Sequence, residues 1–154
     1  MYLNTVTVFN RYESPTDETL TWYAHTLPNV DLNTDRGLIL KKYGPDSSDQ
    51  AQLHIKCRIK DNMPYVLDSS GVWIPWLSPK AWENLTNDEL QNHLTFGDND
   101  FFLKGEWNGE KIIDDSDYRS GLYEFLNRTR DYVYKITSAS GAYSLIPHFE
   151  ILGR

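Results

Sequence analysis

Histidine and cysteine are the side chains in this sequence that could most directly ligate a metal or attack a substrate. The four histidines are His25, His54, His93 and His148, and none lies two, three or four residues from another. Such short spacings place two imidazoles on one face of a helix or strand around a metal ion. We therefore predict no metal site, and we expect the histidines to have unrelated surface or capping roles.

Two acidic segments could hold a cation or end a secondary-structure element. Asp114, Asp115 and Asp117 lack the glycine and the terminal glutamate of a calcium loop, and they open a predicted helix, where negative charge is favoured. Capping is therefore the favoured interpretation. The segment 98–100, Asp-Asn-Asp, is interpreted in the same way, as a loop of turn-forming residues.

Nucleophilic and phosphate-binding motifs are not found. Cys57 lies on the apolar side of a predicted strand, which favours a buried, inert thiol. The sequence has no glycine-rich phosphate loop and no Gly-x-Ser-x-Gly elbow. We predict no catalytic residue and no cofactor, and an enzyme built from distant, converging carboxylates and histidines is only a third hypothesis.

The tryptophans are candidates for binding. Trp73 and Trp76 lie in an apolar stretch, residues 71–77, where they could stack on a sugar ring, anchor a protein interface or close the end of a barrel. Burial is favoured for Trp22, Trp82 and Trp107, whereas burial and exposure remain open for Trp73 and Trp76. The most loop-like segment contributes the other interface candidates, which are Gly44, Pro45, Asp46, Ser47 and Ser48.

The elements that must position these residues are mostly strands. Period-2 alternation predicts strands over 4–11 and 19–27, with a short continuation at 30–32 after Pro28-Asn29, and over 53–60, with a hairpin partner at 63–67. Further strands are predicted at 94–96, 101–105, 111–113, 132–137 and 143–151, with Asn108-Gly109 as a hairpin turn and Pro147 indicating an edge strand or a break. Short helical turns are predicted after Ser78-Pro79 and at a capping box, residues 86–89. One amphipathic helix is predicted to follow Asp115 or Ser116. Its apolar face would contain Tyr118, Leu122, Phe125 and Leu126. We expect a mainly β fold with inserted helices, a barrel or sandwich of eight or nine strands that spans residues 1–154 as a single domain.

Composition excludes some partners. The net charge is −7, and the densest basic stretch is 56–60, Lys-Cys-Arg-Ile-Lys, so a primary role in binding nucleic acid or anionic membrane is disfavoured. A single cysteine cannot form an internal disulfide, and the first residues do not resemble a signal peptide. We expect synthesis in the cytoplasm.

Several segments resemble a known group of proteins. The segments 5–12 (TVTVFNRY), 21–23 (TWY), 29–32 (NVDL), 42–46 (KYGPD), 127–132 (NRTRDY) and 146–151 (IPHFEI) are similar to those of small proteins encoded among the late structural genes of tailed phages and prophages of Gram-positive bacteria. That family has no established activity. The resemblance implies a minor virion component.

The first third of the chain has a second resemblance, to head–tail joining (head-closure or stopper) proteins. These are small β-barrels that form a ring beneath the portal, and the long segment 73–102 has no counterpart in them. The leading hypothesis is therefore a head–tail connector that self-associates into a ring or binds portal, adaptor or tail proteins, and that ends in the virion. The alternative is a ligand-binding β-domain that stacks a carbohydrate on exposed tryptophans.

Overall fold

The computed structural model describes residues 1–34 and 50–154. In these ranges it has ten strands, which are β1 (Asn4–Glu13), β2 (Leu20–Asn33), β3 (Ala51–Lys56), β4 (Arg58–Lys60), β5 (Met63–Leu67), β6 (Trp73–Pro75), β7 (Phe101–Lys104), β8 (Ile112–Asp114), β9 (Val133–Ala139) and β10 (His148–Gly153). The helices are α1 (Pro79–Glu83), α2 (Asn87–Leu90) and α3 (Leu122–Thr129), with a 3₁₀ turn at Asp115–Asp117. No helix within the described ranges is long and apolar enough to cross a membrane. The predicted mainly β fold with inserted helices is confirmed.

Six of the strands close into an antiparallel barrel in the order β1-β7-β9-β10-β3-β2, and β2 pairs back with β1. Strand β2 makes this closure possible because its first part pairs with β1 and its last three residues pair with β3. Asn29 has a positive φ of 55°, and the β1–β2 register shifts between Asn4 and Val6. Such an irregularity bends a strand and increases its twist, which lets one strand serve two neighbours. Pro28-Asn29 is therefore a bend within one strand and not the interruption that we predicted.

The barrel has apolar side chains on both sides of β1. Val6 and Val8 point into the main core, which also contains Leu53, Ile55 and Phe149. Alternate positions of the same strand face the other way, where Phe9 stacks on Phe101 at 4.6 Å between ring centroids. This second cluster is covered by Leu122 and Leu126 of α3 and by Ile113 of β8. Strand β1 is buried on both faces for this reason.

A small second sheet, β4-β5-β6, and the helices α1 and α2 lie beside the barrel. Asp61 and Asn62 both have positive φ, of 53° and 64°, and they make the predicted tight turn between β4 and β5. The ring of Trp82 on α1 is fully buried against Tyr23 and Leu90. Its indole N–H points to the carbonyl oxygens of Leu90 and His93 at 3.2 and 3.3 Å, which attaches α1 to the end of α2.

The structure divides the predicted strand over 53–60 into two strands at Cys57. The backbone N–H of Cys57 donates to the carbonyl of Pro147, and beyond this point the chain leaves β10 and enters the small sheet. Leu53 and Ile55 are buried as expected, but Ile59 is exposed because it belongs to this second sheet. The single alternating strand was therefore a wrong prediction.

Predictions for three other segments differ from the structure in whole or in part. Strands β7 and β8 do not form a hairpin, because β1 and β9 already occupy the two edges of β7, and β8 instead pairs with β2. The break predicted at Pro147 is confirmed, because β10 begins only at His148. The edge-strand alternative is wrong, since β10 is central, between β9 and β3. Residues 94–96 form only a bridge, Trp76 with Leu94, and are otherwise buried loop.

The helix α2 begins after Thr86 as predicted, but its predicted capping contacts and the start of the amphipathic helix differ from the structure. The capping box at 86–89 is not formed, because the Thr86 side chain makes no capping hydrogen bond and the Glu89 carboxylate lies 3.6 Å from His93 Nδ1. The amphipathic helix begins at Leu122, because Ser120 and Gly121 take positive φ values of 66° and 94°. Tyr118 lies before the helix, but its ring still contacts Phe125 at 5.1 Å.

Candidate functional site

The described residues enclose a cleft of about 510 Å³ beside the middle of β2. His25 comes from β2, Asp68 from the end of β5, and Trp73 from the start of β6, while Gln91 and Asn92 follow α2. Trp107, Gly109 and Lys111 reach the cleft from the β7–β8 connection. Five separate parts of the chain thus converge on one concave surface, the arrangement in which ligands are usually bound.

The turn between β5 and β6 builds one wall of this cleft. Asp68 Oδ1 accepts hydrogen bonds from the Ser70 N–H at 2.9 Å, the Ser70 hydroxyl at 2.7 Å and the Val72 N–H at 2.9 Å. Gly71 adopts a φ of 87°, which a residue with a side chain rarely takes. The N–H of Ser69 donates to the carbonyl of Thr26, which fixes the turn to β2. The turn is therefore rigidly placed relative to His25.

His25 is a buried polar residue in the cleft lining. Burial lowers its pKa to about 4, the Lys111 ammonium acts in the same direction, and the Asp68 carboxylate and the His93 carbonyl oppose the shift. Its Nε2 atom makes no hydrogen bond with any described residue. At neutral pH the cleft therefore contains a neutral imidazole with unused hydrogen-bonding capacity.

Two tryptophans give the cleft an aromatic lining. Trp73 is 38% exposed, and the guanidinium of Arg58 lies over its ring at 4.5 Å from the centroid, which orients the indole. Trp107 is half-buried, donates its indole N–H to the carbonyl of Glu110 at 2.8 Å, and packs closely on Gly109. Gly109 is needed here because a Cβ at this position would lie 2.6 Å from the Trp107 ring.

The other predicted site residues do not meet at this cleft. Trp76 is half-buried, packs on the main core with its ring 5.0 Å from that of Phe149, and does not line the cleft. The loop candidates Gly44, Pro45, Asp46, Ser47 and Ser48 lie outside the described residues. Trp22 and Trp82 are buried, as we expected.

Two of the predicted cap residues have specific structural roles. Asp114 Oδ1 accepts from the N–H and hydroxyl of Ser116, which caps the 3₁₀ turn. Asp115 Oδ1 accepts from the Leu122 N–H at 2.9 Å and from the Trp22 indole at 2.7 Å. Capping is thus confirmed for these two residues, although Asp115 caps α3 from a distance in sequence.

Asp100 does more than form a turn, which corrects the interpretation of residues 98–100. It is buried and accepts hydrogen bonds from the N–H groups of Arg11 and Gly97 and from the Asn10 amide. Burial raises its pKa to about 7, although these three donors favour the ionised form. The residue borders a second, smaller cavity of about 340 Å³, but its bonds hold the chain around β1 in place.

The strand register brings together two histidines that are distant in sequence. His54 of β3 lies opposite Glu150 of β10, and the Nε2 atoms of His54 and His148 lie 3.7 and 3.5 Å from Glu150 Oε1. Within residues 1–34 and 50–154, no three His, Cys, Asp or Glu side chains are arranged to hold a metal. Cys57 is half-buried, and burial raises the pKa of its thiol, which keeps it protonated.

Among the described residues outside the N-terminus, the most exposed large aliphatic side chains lie in the connection between β9 and β10. Leu145 is 85% exposed and Ile146 is 77% exposed, and Ile146 has a φ of 51°. The base of the connection is fixed, because the N–H of Tyr143 donates to the carbonyl of His148 and their rings stack at 5.0 Å. We call residues 143–147 the apolar tip. The sequence did not indicate the apolar tip, because residues 143–151 were predicted to form a single strand.

A comparison with protein families gives one match. The family is described as a family of unknown function (DUF6751), and it matches residues 1–154. The chain belongs to this family. No curated protein and no solved structure matches the chain.

Membership of this family assigns no activity, because its description states none. The resemblance to proteins of tailed phages therefore stays a prediction. The cleft and the apolar tip are the two surfaces from which a function can be argued.

Proposed function

We propose that this protein is a minor structural component of a tailed phage or prophage particle, a head–tail connector that acts by binding other proteins. Two features support the proposal. One is the resemblance of the segments 5–12, 127–132 and 146–151 to proteins encoded among late structural genes of such phages. The other is the apolar tip, the single observation of the fold that carries the protein-binding role.

The apolar tip is costly in a protein that acts alone. Leu145 and Ile146 leave their aliphatic side chains in water, and docking of either one would contribute about 1.5–3 kcal/mol. Ile146 also adopts a left-handed backbone conformation, which a β-branched residue takes only with strain. Strain of this kind is typical of functional segments, and adjacent exposed apolar residues are typical of interfaces. We infer that the tip contacts a protein partner in the particle.

Charge is compatible with a connector. The chain has a net charge of −7, so the surface of a ring through which DNA passes would repel phosphates and would not retain the DNA. The stretch 56–60 carries three basic residues, of which Arg58 is engaged with Trp73 and Lys56 lies 4.3 Å from the centroid of the Tyr2 ring. Two of the basic side chains in this stretch therefore have aromatic partners within the chain.

The apolar tip can be tested by complementation. The gene is deleted from the prophage, the prophage is induced, and wild type or the Leu145→Asp/Ile146→Asp double variant is supplied from a plasmid. We expect the deletion to give separate heads and tails by electron microscopy, wild type to restore joined particles, and the double variant to reduce them by at least about tenfold because charge is placed in the contact.

Ile112→Asp is the matched control, because Ile112 is an exposed aliphatic residue of β8, which pairs with β2 and lies outside the apolar tip. It should restore joining as well as wild type does. Joined particles in the deletion strain would contradict the connector role. Full restoration by the double variant would contradict the assignment of the contact to the apolar tip.

A further inference from the structure

We propose that the cleft lined by Trp73 and Trp107 binds a neutral saccharide. This role is independent of the protein-binding role of the apolar tip, because the two surfaces share no residue. It also gives the carbohydrate-stacking alternative a specific location, which includes Trp73 but not Trp76. The volume of about 510 Å³ is within the range of small-molecule sites.

The aromatic lining favours a ligand with flat, apolar faces. The C–H groups on one face of a sugar ring pack on an indole in the same way as other apolar groups do. Trp73 is oriented by Arg58, and Trp107 is held by its bond to the Glu110 carbonyl and by its contact with Gly109. Both rings are thus held in place before a ligand arrives, which reduces the entropic cost of binding.

The polar lining matches hydroxyl groups. Gln91 and Asn92 supply amides and Ser69 supplies a hydroxyl, and each of these groups can donate and accept as a sugar hydroxyl does. The Ser70 hydroxyl donates to Asp68, so it offers a ligand its acceptor capacity. The Asn92 amide nitrogen is bonded to the carbonyl of Asp88 at 3.1 Å, which fixes this side chain at the rim. His25 adds a buried imidazole whose Nε2 has no hydrogen bond within the described residues.

The charge of the lining favours a neutral ligand over an anion. Asp68 and Lys111 both line the cleft and carry opposite charges, so together they add no net charge to the lining. His25 itself is neutral at pH 7, because burial lowers its pKa to about 4. A phosphorylated ligand would be attracted by one ammonium group, that of Lys111, and repelled by one carboxylate, that of Asp68, in the same cleft.

Saturation-transfer NMR and calorimetry test the proposal with named probes: cellotetraose, chitotetraose, maltotetraose and mannotetraose, with adenosine and uridine as non-saccharide stacking ligands. We expect at least one tetrasaccharide to bind saturably. Trp73→Ala should weaken that binding by at least about tenfold, the loss typical of a central aromatic contact.

Tyr132→Ala is the matched control. Tyr132 is 47% exposed and has Lys104 over its ring at 5.0 Å, as Trp73 has Arg58, but it lies outside the cleft. This variant should bind within about twofold of wild type. Thermal melting shows whether each variant folds. If Trp73→Ala does not fold, Gln91→Ala is used instead, because Gln91 is exposed, and it should weaken binding by about fivefold.

Three results would overturn the proposal. One is that no tetrasaccharide binds at millimolar concentration. Another is that a tetrasaccharide binds equally well to folded Trp73→Ala and Gln91→Ala proteins. The third is that only the nucleosides bind, since the cleft would then recognise aromatic bases.

Discussion

His25 and Asp100 are buried side chains that respond to pH in opposite directions. Burial lowers the pKa of His25 from 6.5 to about 4, so its contribution to stability is present above pH 6.5 and is lost as the pH falls toward 4. Burial raises the pKa of Asp100 from 3.8 to about 7, so its contribution is present below pH 3.8 and is lost as the pH rises toward 7. In the wild-type protein, the stability gained at His25 as the pH rises from 4 to 6.5 is therefore largely offset by the stability lost at Asp100.

Two single variants should separate these contributions. The free energy of unfolding of Asp100→Asn minus that of wild type should rise by on the order of 4 kcal/mol from pH 4 to pH 7. The same difference for His25→Gln should fall by on the order of 3 kcal/mol from pH 4 to pH 6.5. Urea denaturation at several pH values measures both differences. If either difference is independent of pH, that residue is not held neutral by the fold.

At the scale of elements, Asp115 connects three parts of the second core. Its Oδ1 atom accepts from the indole of Trp22 on β2 and from the first N–H of α3, at Leu122. Gly121 lies at the N-cap with a φ of 94°, and a Cβ there would lie 3.1 Å from Asp115 Oδ2. The start of α3 thus depends on the carboxylate of Asp115, which lies in the preceding 3₁₀ turn.

Asp115→Ala should lower the free energy of unfolding by about 2–3 kcal/mol, because the Trp22 indole N–H and the Leu122 backbone N–H both lose their acceptor. Gly121→Ala should also destabilise the protein, through backbone strain and displacement of the same carboxylate. We expect the double variant to lose less than the sum of the two single losses, since both release one interaction. Chemical denaturation of the four proteins measures this, and strict additivity would contradict the shared role.

The sequence was sufficient for the extent of most strands but not for their pairing. Alternation identified the strand at Phe101–Lys104, yet nothing local indicates that it pairs with β1 and β9. Ile59 continues the apolar pattern of Leu53 and Ile55, but the chain changes sheet at Cys57. The apolar stretch around Trp73 was enough to predict this residue as a binding candidate. His25 was not predicted, because its position in the cleft depends on turns and helices that are distant in sequence.

At the scale of the whole molecule, barrel closure limits where partners can bind. The six barrel strands pair with one another on both sides, so within the described residues the unpaired outer edges belong to β8 and to the small sheet. Association through the remaining surface therefore relies on side chains, of which Leu145 and Ile146 are the most exposed aliphatic ones after the N-terminal residues. The cleft shares no residue with this proposed protein contact.

The central claim is that this protein is a structural part of a phage particle. Quantitative mass spectrometry of purified particles, released after induction of a strain that carries the gene, tests it most directly. We expect the chain to be present in intact particles at a constant number of copies, equal to that of one ring at the head–tail joint. Its absence from intact particles, while it is abundant in the lysate, would contradict a structural role in the particle.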